Sequence, residues 1–543
     1  MECTLSAESR LSAKTNIKKY ILFVLPAVSA LCMAFSLPAF DCGILAWFGL
    51  APFLFVLCQS SVIACAAFGF IFGYFYGLGT FYWLPLTEEV SFPRFLFLIL
   101  PTSSLYYLSF GLLYRLIRPT TRSWIIVGAP ALWVAMEYAR ANLFFLSMPW
   151  NLLAHSQYRY LPVIQIADIT GVYGISFLIV MVNQFLSQGL ELFFKERKWA
   201  SSYGFRKIFT KNWIASFIMI VVVIAFTVIY GWQKSVLPGG KESLRVALVQ
   251  ANVLARNNMS ISDQKEHLAT YMRLTNEASS SKPDLIIWPA SSLPAPISSS
   301  LVRKTVRKLA RETGTYLLVG GAGVEKLKPR KKGQLPYSNS EFLFGPTGRI
   351  KAQYNKIRLV PFDEYLPLQG TITWPRWITK RSESFIPGKA YTLFQVSGAK
   401  FGTPICWESM FSDLFRRFVK AGANFMVNVT NEGYTGRTSA PYQTLAVTVF
   451  RAAENRVAIV RVAPTGVSCY ISPNGKIVER ISDSKGNDLF VSGVLVRDVP
   501  LFKAKTFYTM HGDIFAFAAI GASTLFFLIS LYSRWRLRFG LRA

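Results

Sequence analysis

Up to about position 235 the chain is a succession of long apolar runs separated by short polar breaks. Runs near Tyr20–Pro38, Gly43–Gln59, Val62–Leu84, Phe95–Tyr114, Trp124–Tyr138, Leu161–Leu186 and Trp213–Trp232 predict membrane-crossing helices, and one more covers Asp513–Tyr532. The first run follows Lys18 and Lys19 and lacks a small-residue cleavage site, which marks a retained span rather than a removed leader. About eight spans are therefore expected, seven within residues 1–235 and one at 511–533, with a basic tail at 534–543.

Between them, residues 244–500 follow a different rhythm. Short apolar runs such as "LRVALVQANV", "DLIIWP", "TYLLVGGAG", "NFMVNVTN" and "VAIVRVAP" predict strands. Asp263–Ser279, Leu301–Glu312 and Tyr442–Asn455 carry helical periodicity between them, and "VSCYISPNGKIVERI" predicts a hairpin around Pro473–Asn474–Gly475. Apolar strands interleaved with amphipathic helices predict an α/β domain whose sheet faces are covered.

Charge supplies the orientation. The chain has 543 residues, of which 16% are charged and 52% hydrophobic, and its net charge is +30. Basic loops beside apolar spans account for such an excess, and no zinc-finger, helix-turn-helix or RNA-stacking signature points to nucleic acid as a partner. Lys14, Lys18 and Lys19, then Arg115, Arg118 and Arg122, then Lys195, Arg197, Lys198, Arg206, Lys207 and Lys211, and finally Arg534, Arg536, Arg538 and Arg542 all fall on one side of an eight-span chain. That side is expected to be the cytoplasm. Both termini then lie inside, and residues 244–500 lie outside, which in a bacterium is the periplasm. The seven cysteines form no CxxC pair, so neither a metal site nor a disulfide framework is expected. With only His155, His267 and His511 present, a Cys–His dyad has few candidates.

Reactive groups in α/β domains collect at the carboxyl ends of strands. Three such places stand out: "IIWPASSLP" (Ile286–Pro294), "YNKIRLVPFDEYLP" (Tyr354–Pro367) and "TPICWES" (Thr403–Ser409). Cys406 reads either as a small buried hydrophobe or as a nucleophile. Lys356 reads either as a solvated cation or, given Tyr354, Ile357, Leu359, Val360 and Phe362 around it, as a desolvated functional lysine. Glu364, in the acidic pair with Asp363 shortly after Lys356, reads as a loop charge on its own. Glu408 could equally cap a helix beginning near Ser409. Cys469 alternates with Val467 and Ile471 and reads as strand core. His267 and His511 have no sequence reason to meet Cys406, so Lys and Glu partners fit this cysteine better than His.

Together "LIIWPASSLP", "YNKIRLVPFDEYLP" and "TPICWES" resemble the nitrilase (carbon–nitrogen hydrolase) superfamily. With the membrane bundle added, and with "VALVQANV", "PYQTLAVTVFRAAENR" and "APTGVSCYISPNG", the chain is similar to the apolipoprotein N-acyltransferase family of bacterial envelopes. The resemblance implies an αββα sandwich on a polytopic inner-membrane bundle, and it implies no cofactor and no metal. It also implies transfer of an acyl chain from a phospholipid, through a thioester on a cysteine, to the α-amine of the diacylglyceryl-cysteine of an apolipoprotein. By resemblance Cys406 is the nucleophile, Lys356 stabilises the oxyanion, and Glu364 and Glu408 are supporting acids.

One position departs from the family. A general-base glutamate is expected after the Trp-Pro pair, and Ala290 stands there. General-base catalysis is worth roughly 10²–10⁴-fold. Three explanations stay open: an engineered loss of the base, substitution by Glu364 or Glu408, or a natural variant of low activity. Besides the acyltransferase, a non-catalytic membrane-tethered scaffold that holds lipoprotein or phospholipid fits the sequence. A soluble-substrate amidase fits less well, having no need of a lipid-facing platform. The segment Ala141–Pro162 is too polar and Pro-broken to span. Its Phe144, Phe145 and Trp150 suit a membrane interface, so it reads either as the lining of a lipid entrance or as a plain packing loop.

Overall fold

The computed structural model describes residues 22–38, 40–87, 90–118, 124–196, 211–236, 242–254, 259–324, 337–379, 384–503 and 505–538. Lys14, Lys18, Lys19, Arg122, Arg197, Lys198, Arg206, Lys207 and Arg542, on which the orientation partly rests, lie outside the described residues.

Among the described residues, five helices are long and apolar enough to cross a membrane: Val62–Phe81, Phe92–Ile117, Val172–Phe194, Trp213–Ser235 and Ile514–Arg538. Leu22–Phe35 is a shorter apolar helix, and Ile125–Asn142 is an 18-residue helix that buries Glu137 and Arg140. Two expected spans are broken. The run Gly43–Gln59 is a 3-10 turn at Gly43–Trp47 followed by a nine-residue helix at Ala51–Gln59. The run from Leu161 forms single turns at Leu161–Ile164 and Ala167–Thr170 and starts afresh at Val172. Gly171 makes that break: its φ is +63°, and the Tyr508 ring lies 2.6 Å from where a Cβ would stand.

The α/β domain has two six-stranded sheets among the described residues. In chain order the strands are β1 (Ser243–Gln250), β2 (Leu285–Ile287), β3 (Tyr316–Val324), β4 (Tyr337–Phe344), β5 (Ile350–Asn355), β6 (Phe394–Val396), β7 (Ala399–Gly402), β8 (Phe425–Val429), β9 (Ala458–Val462), β10 (Cys469–Ile471), β11 (Ile477–Arg480) and β12 (Gly493–Pro500). The first sheet has the order β12-β1-β2-β3-β4-β5 and the second β11-β10-β9-β8-β7-β6. Each has a parallel centre, β1-β2-β3 or β7-β8-β9, with antiparallel flanks. The expected hairpin is β10–β11, with Gly475 in the turn.

Side-chain alternation assigns the faces of the first sheet. Ile286, Leu317, Val319, Phe342 and Phe344 pack outward with Leu268, Tyr271, Val302 and Val306 of the helices Ile261–Ser279 and Ser300–Thr313. Ile287, Leu318, Leu343 and Tyr354 point inward and share a core with Phe401, Val427 and Val460 of the second sheet. On the far side of that sheet lie Ser412–Lys420 and Ala440–Asn455. The domain is thus an αββα sandwich. Tyr470 on β10 ties the sheets by donating to the Val246 carbonyl on β1 at 2.5 Å.

The sandwich sits directly on the bundle. The Gln443 side chain accepts from the indoles of Trp83 (3.3 Å) and Trp150 (2.9 Å) and donates to the Thr80 carbonyl (3.0 Å). Arg456 forms a buried ion pair with Asp168 at 2.9 Å, and Gln165 donates to the Asn474 carbonyl in the hairpin turn.

Candidate active site

Cys406 follows β7. Ile405 bridges to Val429 of β8, and Cys406 then opens a 3-10 turn, Cys406–Met410. The helix expected near Ser409 begins only at Ser412, and Cys406 takes a left-handed φ of +51°, a costly conformation for a residue with a Cβ. The thiol is half-buried. Glu408 holds the turn. Its carboxylate accepts from the Ile405 N–H (2.9 Å), the Ile357 N–H (2.7 Å), the Arg358 N–H (3.0 Å) and the Tyr354 hydroxyl (2.8 Å). Three of those donors lie in the segment that carries Lys356, so Glu408 clamps the cysteine turn to the end of β5. Burial pushes the Glu408 carboxyl up, and the backbone N–H donors partly offset this.

Lys356 continues β5 by one residue, its N–H donating to the Asn339 carbonyl at 2.8 Å. Its side chain is 1% exposed, and Nζ lies 2.7 and 2.9 Å from the two Glu364 oxygens. Glu364 also accepts from Asn339 Nδ2 (2.9 Å) and the Val360 N–H (2.8 Å). Desolvation lowers the Lys356 pKa, but Glu364 first and Cys406 next more than offset it, and the net direction is upward. The structure thus brings the thiol within electrostatic reach of a buried, carboxylate-held ammonium. Asp363, beside Glu364, faces solvent.

Ala290 lies just beyond β2, 2% exposed, before Ser291 at φ +54°. Trp288 anchors this approach: its indole donates to Thr275 at 2.9 Å and lies against Tyr271. His267 bonds the Ser292 carbonyl at 2.8 Å, and His511 bonds the Phe507 carbonyl in the short helix before the last span. Neither has a bond to Cys406. Cys469 is fully buried in β10, and burial pushes its thiol up to about 11. Among the described residues, no group of three His, Cys, Asp or Glu could hold a metal ion.

The loop after Ile125–Asn142 runs beneath the sandwich. Trp150 is buried with its ring centroid 6.0 Å from that of Trp407, the residue after Cys406. Phe144 is 74% exposed and Phe145 half-buried, in contact with each other.

A group that sequence reasoning missed lies beside Ala290. Glu341, in the middle of β4, is fully buried, and neither of its carboxylate oxygens has a hydrogen-bond partner among the described residues. A lone charged residue between Ser340 and Phe342 in a strand was the available signal.

With the geometry in view, comparison with known proteins decides the family. Residues 29–185 match the family described as apolipoprotein N-acyltransferase N-terminal domain, and residues 245–505 match the carbon–nitrogen hydrolase family. An apolipoprotein N-acyltransferase of Geobacter metallireducens is 32% identical over 93% of this chain and 94% of its own. The chain belongs to the apolipoprotein N-acyltransferase family. It is an acyltransferase on a nitrilase-like fold in a membrane protein. Apolipoprotein N-acyltransferase 1 of Treponema denticola, another relative, is 27% identical over 87% of this chain and 88% of its own. A solved nitrilase-superfamily amidase from Nesterenkonia aligns with 49% of this chain and 93% of its own at 21% identity, with a TM-score of 0.36, too low to decide anything further.

Proposed function

We propose that this protein moves an acyl chain from a phospholipid onto Cys406 as a thioester, and then onto the N-terminal amine of a diacylglyceryl-cysteine lipoprotein. The observation that carries this is the contact of Trp407 with Trp150, which sets the residue beside the nucleophile against the membrane bundle. Thiolate attack on an ester generates an oxyanion. An ammonium held dry by Glu364 is suited to stabilise it. A thioester divides one difficult transfer into two easier ones. Intact-mass spectrometry of the purified full chain tests the reading. An acyl adduct that is present in the parent and absent in Cys406→Ala is expected. An adduct on neither protein favours the scaffold that binds without turnover.

The domains divide as 1–235 for the bundle, 244–500 for the catalytic unit, 511–533 for the last span and 534–543 for the tail. Helix ends support the orientation. Arg534 and Ser530 bond the Leu116 carbonyl, and Arg118 pairs with Glu191, so the basic ends of three long helices meet on one side of the bundle. The sandwich packs on the opposite ends, near Thr80, Trp150 and Thr509. The positive-inside rule then puts the basic side in the cytoplasm and the sandwich in the periplasm of a bacterial inner membrane.

Phe144 and Phe145 are read as the lip of the lipid entrance, because an aromatic pair with one ring exposed and the other half-buried, in the same loop as the buried Trp150, suits acyl chains and headgroups better than water. Phe144→Ser with Phe145→Ser is expected to slow acyl-enzyme formation several-fold while the thermal transition in detergent stays put. Unchanged acylation kinetics would assign these rings to packing alone.

A further inference from the structure

Ala290 leaves the site without the carboxylate expected there, and the obvious substitutes are committed elsewhere. Glu364 is held by Lys356, Asn339 and the Val360 N–H. Glu408 receives three backbone N–H groups and the Tyr354 hydroxyl. Both hold the site together and have no free direction in which to take a proton.

Glu341 is different on every count. It pairs with Gly320 of β3 on one side and Tyr354 of β5 on the other. Cross-strand partners share a face, so Glu341 points inward with Tyr354 and, one step along the same face, with Lys356. On its other side Gly320 separates it from the end of β2. A Cβ built on Gly320 would overlap Glu341 Oε1, and would stand 2.7 Å from the Ala290 Cα and 2.7 Å from the Pro289 carbonyl oxygen. The Glu341 side chain therefore reaches sideways across the bare glycine. It sets its carboxyl on the same side of Gly320 as the Ala290 Cα. The carboxyl is fully buried with both oxygens unpartnered. Such a group costs the fold stability, and its presence calls for an explanation, of which a catalytic role is one.

We propose that Glu341 is the general base of this enzyme, delivered from β4 across Gly320 to the position that Ala290 has vacated. The inference rests on the thioester reading above. In the first half-reaction the Cys406 S–H proton passes to the Glu341 carboxylate, and Sγ bonds to the ester carbonyl carbon. The ester C–O bond then breaks, and the departing oxygen takes the proton back from Glu341. In the second, the neutral acceptor amine bonds to the thioester carbon and loses a proton to Glu341. The C–S bond breaks, and that proton returns to the thiolate. Burial without a compensating cation pushes the Glu341 carboxyl well above the usual carboxylate range.

The test is transfer from phosphatidylethanolamine to a synthetic diacylglyceryl-cysteine peptide, with the full chain in detergent. Parent, Glu341→Gln, Glu341→Asp, Cys406→Ala and the exchange Glu341→Gln with Ala290→Glu are compared. Glu341→Gln is expected to lose roughly 10²-fold or more, the size of a general-base contribution. The exchange is expected to recover most of that loss, which a merely structural role for Glu341 would not allow. Should Glu341→Gln fold poorly, Glu341→Asp carries the test. It keeps the charge, shortens the reach, and is expected to fall at least tenfold, with the acidic limb of its pH–rate profile displaced. Glu341→Gln and Glu341→Asp both within threefold of the parent, with Cys406→Ala inactive, would overturn Glu341 while leaving the thioester reading intact. Transfer that appears only on adding Ala290→Glu would overturn it as well. Full activity in Cys406→Ala would instead bring down the thioester reading.

Discussion

Lys356→Met is expected to abolish transfer and to destabilise the α/β domain at once. The ammonium is the only cation bonded to Glu364 among the described residues, at 2.7 Å, and both groups are nearly inaccessible. On the proposed mechanism its removal deletes the charge for the developing oxyanion, an expected loss of about 10²–10³-fold for a donor of this kind. It also strands the Glu364 carboxylate in a dry site. Breaking a buried pair from one side typically costs about 3–5 kcal/mol, more than the pair itself contributes. The two effects separate in a second variant. Lys356→Met with Glu364→Gln removes the stranded charge and keeps an acceptor for one of the two donors, Asn339 or the Val360 N–H, so most of the thermal transition recovers and the activity does not. If stability and transfer recover together, Lys356 serves the fold and not the oxyanion.

Much of this site was legible in the chain because its parts are local. A cysteine ending an apolar run, a lysine in an apolar setting and an acidic residue eight positions later are visible wherever the strands fall. The clamp through Tyr354 was not legible. It depends on Glu408 turning back across a five-residue 3-10 turn to reach another sheet. The membrane runs were legible as apolar but not as continuous, since composition does not register a left-handed Gly171 opposite the Tyr508 ring. Glu341 shows the limit most plainly. It is far from Ala290 in sequence and becomes its neighbour only through the β2-β3-β4 order and the bare Cα of Gly320. Read along the chain, the missing base and the surplus carboxylate are unrelated. Across the sheet they are one exchange of position.

That exchange makes Gly320 a sensitive position, although it bears no functional group. Gly320→Ala is expected to cut transfer by roughly 10²-fold, the scale of a lost general base. The added methyl meets three neighbours. The Pro289 carbonyl and the Ala290 Cα are backbone at the end of a strand. The Glu341 carboxyl is the end of a flexible side chain and gives way first. The methyl should therefore push the carboxyl out of the space beside Ala290 while the sheet stays paired. Overpacking of this size costs about 1–3 kcal/mol, so a rate loss alone would be ambiguous. Gly321→Ala supplies the control. Its Cβ would stand 2.8 Å from Leu293 on the outer face of the same strand, a comparable strain with no carboxylate involved. The expected pattern is a similar drop in thermal stability for both variants and a rate loss for Gly320→Ala alone. Equal rate losses in the two would mean that β3 responds to strain as a unit, and that the carboxyl above Gly320 has no special part in the proton transfers.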